Sequence, residues 1–181
     1  MPRIQAVDEQ TTGLRAADLL ASGKKKMGMV PNLIATMANS PAVANAYLGF
    51  NQALSGGALP ARLREQLALV VGETNRCDYC LAAHTTLGKG AGLSEQETCD
   101  ARQALSQNER ERVALDFARR LVQDRGVVQD GDVEQLREAG YTDGDVSEIV
   151  AHVALNIFTN YFNHVAQTEI DFPTAPSLCA V

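Results

Sequence analysis

The sequence predicts an all-α protein, and three observations support this fold class. Apolar residues recur with a period of about 3.6 residues along nearly the whole chain. Residues that start and stop helices punctuate those segments, and alternating strand-like runs bounded by turns are missing. At 181 residues the chain is long enough for one core, burying roughly 70% of its unfolded surface. We therefore expect a single helical domain over residues 1–181.

The first predicted helices lie on either side of a glycine pair. Ser40-Pro41 places an N-cap before a proline at the first helical position, which opens a helix to about Leu54. Gly56-Gly57 ends it, and Pro60 opens the next helix, which runs to about Thr74. The inner face of this second helix carries Leu63, Leu67, Val70 and Val71.

The later helices are predicted from capping patterns. Ser94-x-x-Glu97 and Ser106-x-x-Glu109 both have capping-box spacing. A short helix follows near residues 133–138, and Thr142-Asp143 begins a long one. Its apolar residues cover most of its circumference, so we expect it to be central or shared with another subunit; they are Ile149, Val150, Val153, Leu155, Ile157, Phe158, Tyr161 and Phe162. The tail over residues 171–181, with two prolines, is expected to be extended.

A weak internal echo relates the two halves of the chain. Glu65 precedes Cys77 by twelve residues and Cys80 by fifteen, and Glu148 precedes Asn160 and Asn163 by the same intervals. This register is expected of a duplicated helical hairpin. It is equally expected of two unrelated helical segments, because both share apolar periodicity.

Composition and charge exclude several classes of function. The net charge of −6 repels nucleic acid, and the basic run Lys24-Lys25-Lys26 lacks the interleaved aromatics of a base-stacking groove. We interpret that run as the solvated end of a helix. The longest apolar run, residues 67–71, is too short to span a bilayer, and we expect no signal peptide. The sequence therefore predicts a cytoplasmic protein that binds neither nucleic acid nor membranes.

The stretch CDYCLAAH, residues 77–84, carries the strongest chemical signal. Asn75-Arg76 interrupts the preceding helix, so Cys77 lies near the start of a new one. The positive end of a helix favours thiolate, and CxxC pairs can have pKa values between about 3.5 and 7.5. Cysteines three apart are also close enough to form a disulfide after modest adjustment. The pair can therefore cycle between dithiol and disulfide, whereas Cys99 and Cys179 stand alone and are expected to be inert.

Two further residues complete a candidate relay. His84 lies four residues after Cys80 on the same helical face, so its imidazole can take the Cys80 proton. Glu65 would orient His84 if the two helices form an antiparallel hairpin. A zinc site is the competing interpretation of Cys-x2-Cys-x3-His, but it needs a fourth ligand such as His152 or His164. A thioredoxin fold is excluded because the segment before Cys77 is helical.

With these four residues in place, the pattern E-x11-C-x2-C-x3-H resembles the signature of AhpD-like alkylhydroperoxidases, within the carboxymuconolactone decarboxylase superfamily. The resemblance is strongest over a redox core at about residues 60–93 and extends over about 25–170. It implies an all-α fold with helical repetition, a trimer or hexamer, and peroxide reduction. It also implies that Cys80 attacks the peroxide, that Cys77 resolves the product, and that Glu65 and His84 relay protons. Tyr79 departs from the family pattern, because the best-known members have a second histidine there.

We therefore expect a thiol-dependent peroxidase or disulfide reductase that needs no metal, flavin or haem. Its substrate would be a small-molecule peroxide, and a dithiol would supply electrons. The resemblance suggests a lipoyl protein or a peroxiredoxin as donor or partner. Two other classes stay open: a decarboxylase-type lyase, against which the cysteine pair argues, and a non-enzymatic redox sensor or metal-binding module.

Overall fold

The computed structural model describes residues 1–7 and 29–178, and this part of the chain is entirely helical. It contains eight α-helices and no β-strand within the described ranges, which confirms the predicted fold class. The run at residues 24–26 and Cys179 lie outside the described residues. The helices are α1 (Asn32–Met37), α2 (Pro41–Ser55), α3 (Ala61–Thr74), α4 (Asp78–Gly90), α5 (Glu95–Arg102), α6 (Glu109–Gln123), α7 (Asp130–Glu138) and α8 (Asp143–Ala166).

Helix α3 occupies the centre of the molecule. It packs against α4, α5, α6 and α8, and residues 66–72 are all buried, so its apolar surface extends beyond one face. Leu67, Leu69, Val70 and Val71 have no solvent exposure. Burial of a side chain of this size contributes about 1.5–3 kcal/mol, so α3 is the element on which the main core depends.

Helix ends follow the predicted caps with one exception. Ser94 with Glu97 and Thr142 with Asp145 form capping boxes at α5 and α8. The predicted box at Ser106 is wrong, because Asn108 caps α6 by accepting the N–H groups of residues 110 and 111. The Ser106 hydroxyl instead donates to the Glu111 carboxylate and accepts the Asn108 N–H.

The α3–α4 connection forms a tight hairpin. Arg76 has a positive φ of 56°, which reverses the chain in one residue. The two helices also approach closely: a Cβ at Gly88 would lie 3.0 Å from Leu93 Cδ1 and 3.7 Å from Glu65 Cβ. A side chain at position 88 would require Leu93 to shift, while its distance to Glu65 would be an ordinary van der Waals contact.

Helix α8 does not repeat that hairpin. Residues 148–163, which echo the hairpin in sequence, lie within one unbroken helix. The echo therefore has no counterpart as a second hairpin at these positions. The C-terminal half of α8 instead runs past the start of α4.

The chain termini close over the same end of the molecule. The N–H groups of Arg3 and Ile4 donate to the Ala166 carbonyl at the end of α8. Residues 171–178 contain no helix, and the Asp171 carboxylate accepts the Asn32 N–H at 2.7 Å. No helix in the described ranges combines the length and the apolarity needed to cross a bilayer.

Candidate functional site

The two cysteines of the CxxC motif lie together at the start of α4. Cys77 is the N-cap residue and Cys80 lies in the first turn. Both are free and each is 2% exposed. Their sulfurs are 2.7 Å apart, with the Cys77 thiol donating to Cys80. The pair is therefore a buried dithiol whose sulfurs are in direct contact.

The contact makes the two thiols chemically unequal. The hydrogen bond from Cys77 lowers the pKa of Cys80 and outweighs burial, which acts in the opposite direction. The same bond, with burial, raises the pKa of Cys77. The first proton lost from the pair therefore leaves the negative charge on Cys80.

Polar side chains of α8 also stabilise the Cys80 thiolate. Asn163 Nδ2 donates to Cys80 Sγ at 3.3 Å and lies 3.9 Å from Cys77 Sγ. Asn163, Asn160 and Thr159 each lower the pKa of Cys80. The sequence analysis did not assign them a function. The signal that could have found them was the echo, which places Asn160 and Asn163 in register with the cysteines they surround.

Glu65 and His84 form the pair expected from the hairpin. Glu65 Oε2 lies 2.7 Å from His84 Nδ1, and the two side chains are 22% and 23% exposed. A carboxylate at Nδ1 fixes the ring and its tautomer. The other ring nitrogen, Nε2, has no partner among the described residues and is available for proton transfer.

The direct contact expected between His84 and Cys80 is absent. No hydrogen bond joins these two residues in the described part of the chain, although they are four apart on one helix. Cys80 Sγ accepts hydrogen bonds from Cys77 and Asn163, while His84 hydrogen-bonds Glu65 on α3. The short cysteine side chain and its partners on α8 explain the difference.

Cys80, Glu65 and His84 line one cavity of about 290 Å³. The volume is at the lower end of the range for small-molecule sites. Cys77 is not part of the described wall, so a molecule in the cavity meets Cys80 first. The remaining described wall consists of Pro31, Leu33, Ile34, Tyr47, Leu48, Asn51, Ser55, Arg64, Ala68, Tyr79, Ala83, Leu87, His152, Leu155, Asn156, Thr159 and Phe172.

Two tyrosines on this wall have different roles. Burial, with smaller effects from Cys80 and Glu65, raises the pKa of Tyr47 to about 12, so its hydroxyl stays a donor at neutral pH. Tyr79 stands where the sequence resemblance implies a second histidine. Its hydroxyl accepts the buried Leu33 N–H at 3.2 Å, and burial raises its pKa. Tyr79 thus connects α4 to α1 and does not titrate near neutral pH.

The other cysteines and histidines lie apart from this arrangement. Cys99, in α5, is partly buried and is not on the cavity wall. His164 Nε2 lies 2.9 Å from the Asn75 carbonyl, and His152 lines the cavity through α8. No three His, Cys, Asp or Glu side chains converge as metal ligands in residues 1–7 and 29–178.

Residues 41–120 match the model of the carboxymuconolactone decarboxylase family. The fold is similar to that of the alkylhydroperoxidase AhpD core of an uncharacterised peroxidase-related protein from Ralstonia eutropha JMP134. The TM-score is 0.86 at 24% identity, covering 94% of this chain and 92% of that one. A peroxidase-related protein from Silicibacter sp. TM1040 has a TM-score of 0.80 at 24% identity, covering 92% of each chain.

A debrominase, Bmp8, has the same fold, solved as a cysteine-to-alanine variant with 2,3,4-tribromopyrrole. Its TM-score is 0.80 at 20% identity, covering 93% of this chain and 91% of that one. No curated protein matches the chain. Residues 41–120 are therefore similar to the carboxymuconolactone decarboxylase family, and the chain shares the helical fold of the AhpD-like structures.

Proposed function

We propose that this protein is a thiol-dependent peroxidase. Cys80 reduces a hydroperoxide, and Cys77 then forms a disulfide with Cys80. The family and its AhpD-like relatives support a peroxidase-related function in general. One observation supports the more specific proposal. The Cys77 and Cys80 sulfurs are 2.7 Å apart, and of the two cysteines only Cys80 lines the cavity, whose wall also includes the Glu65–His84 pair.

The first step is attack by the Cys80 thiolate on the peroxide. The sulfur forms a bond to the terminal oxygen of ROOH, the O–O bond breaks, and the leaving RO⁻ takes a proton to become ROH. Cys80 becomes a sulfenic acid. The lowered pKa of the Cys80 thiol favours the attack on the peroxide, because the thiolate, not the thiol, is the nucleophile.

The second step uses Cys77. Its sulfur attacks the Cys80 sulfenic acid, an S–S bond forms, and hydroxide leaves with a proton as water. Overall, two thiols and ROOH give a disulfide, ROH and water. The Cys77 sulfur already touches Cys80, so only a small movement is needed.

Glu65 and His84 would supply and recover the protons. With Nδ1 held by Glu65, His84 Nε2 faces no competing partner and can protonate the leaving RO⁻ from the cavity wall. Because no hydrogen bond joins His84 to Cys80 among the described residues, its proposed role is general acid towards the peroxide and not base towards the thiol.

A dithiol would return the disulfide to the reduced form by thiol–disulfide exchange. We propose a cytoplasmic dithiol donor, with a lipoyl protein or a peroxiredoxin as the partner to examine first. The scheme requires no metal, flavin or haem.

The test is steady-state peroxide consumption with a panel of reductants that includes dihydrolipoamide. We expect turnover with at least one dithiol and none in the Cys80→Ser protein. In Cys77→Ser, sulfenic acid should accumulate on Cys80. Catalysis that survives loss of both cysteines would point to a lyase, and oxidation without turnover would point to a redox sensor.

Reductive dehalogenation is a second candidate, favoured by the aromatic side chains on the cavity wall, Tyr47, Tyr79 and Phe172. A debrominase shares the fold. In that reaction two thiols and an aryl bromide would give a disulfide, the arene and HBr. Including 2,3,4-tribromopyrrole in the panel separates the two activities: bromide release without peroxide turnover would favour the second.

A further inference from the structure

We propose that the cavity binds a substrate carrying a carboxylate, which Arg64 and His152 hold at the end remote from Cys80. This inference rests on the proposed function for the reaction at Cys80, but not for the binding of the anion. It narrows the substrate class to small apolar molecules with a reducible group at one end and a carboxylate at the other.

Helix α8 sets the two ends of the cavity. Thr159 lines the cavity and hydrogen-bonds Cys80, whereas His152 lies seven residues earlier on the same helix. At 1.5 Å per residue these positions are about 10 Å apart along the axis. Asn156 and Leu155 line the wall between them.

Arg64 is a cation on the cavity wall without an anionic partner. Its Nη1 donates to the Leu54 and Ser55 carbonyls at 3.2 and 2.6 Å. Its Nε and Nη2 have no hydrogen-bond partner, and no carboxylate pairs with it in the part of the chain described. Arg62, two residues away, instead pairs with Glu97 and Glu111. Arg64 is therefore anchored in place with two donors left for a ligand.

His152 supplies an unsatisfied polar atom beside this cation. The side chain is 6% exposed, and its Nε2 is buried without a hydrogen-bond partner. Buried polar atoms are nearly always paired. Burial, and then the charge of Arg64, lower the pKa of His152, so the ring is neutral at neutral pH. In the Nε2–H tautomer it donates to an anion.

The acidic groups near His152 are already engaged. The charges of Glu148 and Glu65 raise the pKa of His152, whereas the charge of Arg64 lowers it. The Glu148 carboxylate accepts the Ala58 and Leu59 N–H groups, and Glu65 is paired with His84. Neither carboxylate hydrogen-bonds Arg64, so the free donors of Arg64 are left for a ligand, and a carboxylate, which accepts two hydrogen bonds, fits them.

The rest of the wall limits what the carboxylate can be attached to. The surfaces between the two ends are largely apolar, and the volume of about 290 Å³ admits only a small molecule. A hydroperoxide of a short or monocyclic carboxylic acid has this chemistry.

Direct binding of two inert probes to the reduced protein tests the proposal. 4-Isopropylbenzoate and 4-isopropylbenzamide have nearly the same shape, but only the first is charged. We expect the benzoate to bind wild type at least about tenfold more tightly, as for hydrogen bonds to a charged group. Arg64→Gln should abolish this preference. Arg112→Gln, the same charge change on exposed α6, should keep it.

Equal affinities for the two probes in wild type, no binding of the benzoate, or a preference that survives in Arg64→Gln would overturn the proposal. A second measurement does not depend on the folding of a variant: the imidazole NMR signals of His152 should move with the benzoate and not with the benzamide. Neither experiment contains peroxide, and both can be repeated in Cys80→Ser. Failure of peroxide turnover with the preference intact would therefore reject the proposed function alone.

Discussion

The pKa of Cys80 is lowered by a neighbouring thiol and by side chains of helix α8, and no hydrogen bond joins Cys80 to the histidine on its own helix among the described residues. The Cys77 thiol donates to Cys80, and Asn163 adds a second hydrogen bond. Because the donor is itself the residue that would form the disulfide, one side chain would both lower the pKa of the nucleophile and resolve its oxidised product.

Replacing Cys77 separates these two effects. Cys77→Ser retains a hydroxyl donor, whereas Cys77→Ala removes the hydrogen bond, so the pKa of Cys80 should be higher in the alanine variant. Since the thiolate is the reactive form, alkylation of Cys80 should decline as pH falls, and this decline should begin at higher pH in Cys77→Ala. The measurement is the iodoacetamide rate against pH, mapped to the peptide containing Cys80. Superimposable profiles for the two variants would show that the Cys77 donor does not set the pKa.

Glu65→Gln should impair proton delivery more than thiolate formation. The carboxylate orients His84 and would stabilise its imidazolium, but neither residue hydrogen-bonds Cys80 in the described part of the chain. Peroxide reduction should fall on the order of 10² to 10⁴-fold if proton transfer limits the rate, while alkylation of Cys80 stays close to wild type. Unfolding free energy should change by no more than about 1 kcal/mol, since the pair is partly exposed.

Glu73→Gln is the matched control for that change. It removes another carboxylate from α3, one that pairs with Arg102 and does not line the cavity. Its peroxidase rate should be near wild type. If both glutamine variants lose the same activity, Glu65 acts through the fold and not through His84.

At the scale of elements, Tyr79 connects the CxxC helix to α1. Tyr79→Phe leaves the buried Leu33 N–H without its acceptor, at a cost of about 1–3 kcal/mol. We expect amide exchange at Leu33 to accelerate by one to two orders of magnitude, since about 1.4 kcal/mol is tenfold. Tyr161→Phe, on the exposed face of α8, is the control. Unchanged exchange at Leu33 in Tyr79→Phe would remove this role.

The sequence predicted the elements well where local residues determine them. The α3–α4 hairpin follows from a three-residue break, and it places Glu65 beside His84, so this pair could be found from sequence. The cap of α6 could not, because Ser106 and Asn108 are both good caps.

The missed residues depend on contacts between distant parts of the chain. Asn163 reaches Cys80 across 83 residues, and Asn75 donates to Asn160 across 85. Local periodicity identifies a buried face of α8 but does not indicate which helix it meets. The same holds for His152, which the sequence indicated only as a possible fourth zinc ligand and which the structure places on the cavity wall.

At the scale of the whole molecule, α8 presents an apolar stripe to solvent. Its outer face exposes Val150, Phe158, Tyr161 and Val165, spaced at helical intervals. A stripe of this kind marks an interaction surface more often than a monomer surface. We propose that it meets another copy of the chain in a trimer or hexamer.

Light scattering at micromolar concentration should therefore give a mass several times 19.4 kDa. Phe158→Lys combined with Tyr161→Lys should reduce that mass, because a charge would be buried without a partner. A wild-type mass near 19.4 kDa would contradict the assembly.

The fold as a whole places a contacting dithiol beside the cavity, with Cys80 on its wall, and we propose that this dithiol gives its two electrons to a peroxide. The most direct measurement adds one equivalent of hydroperoxide to fully reduced protein without any reductant, followed by intact-mass and peptide mass spectrometry. We predict the loss of two hydrogens, located in a Cys77–Cys80 disulfide, with one equivalent of ROH released. Unchanged thiols, or a disulfide that involves Cys99 or Cys179, would contradict it.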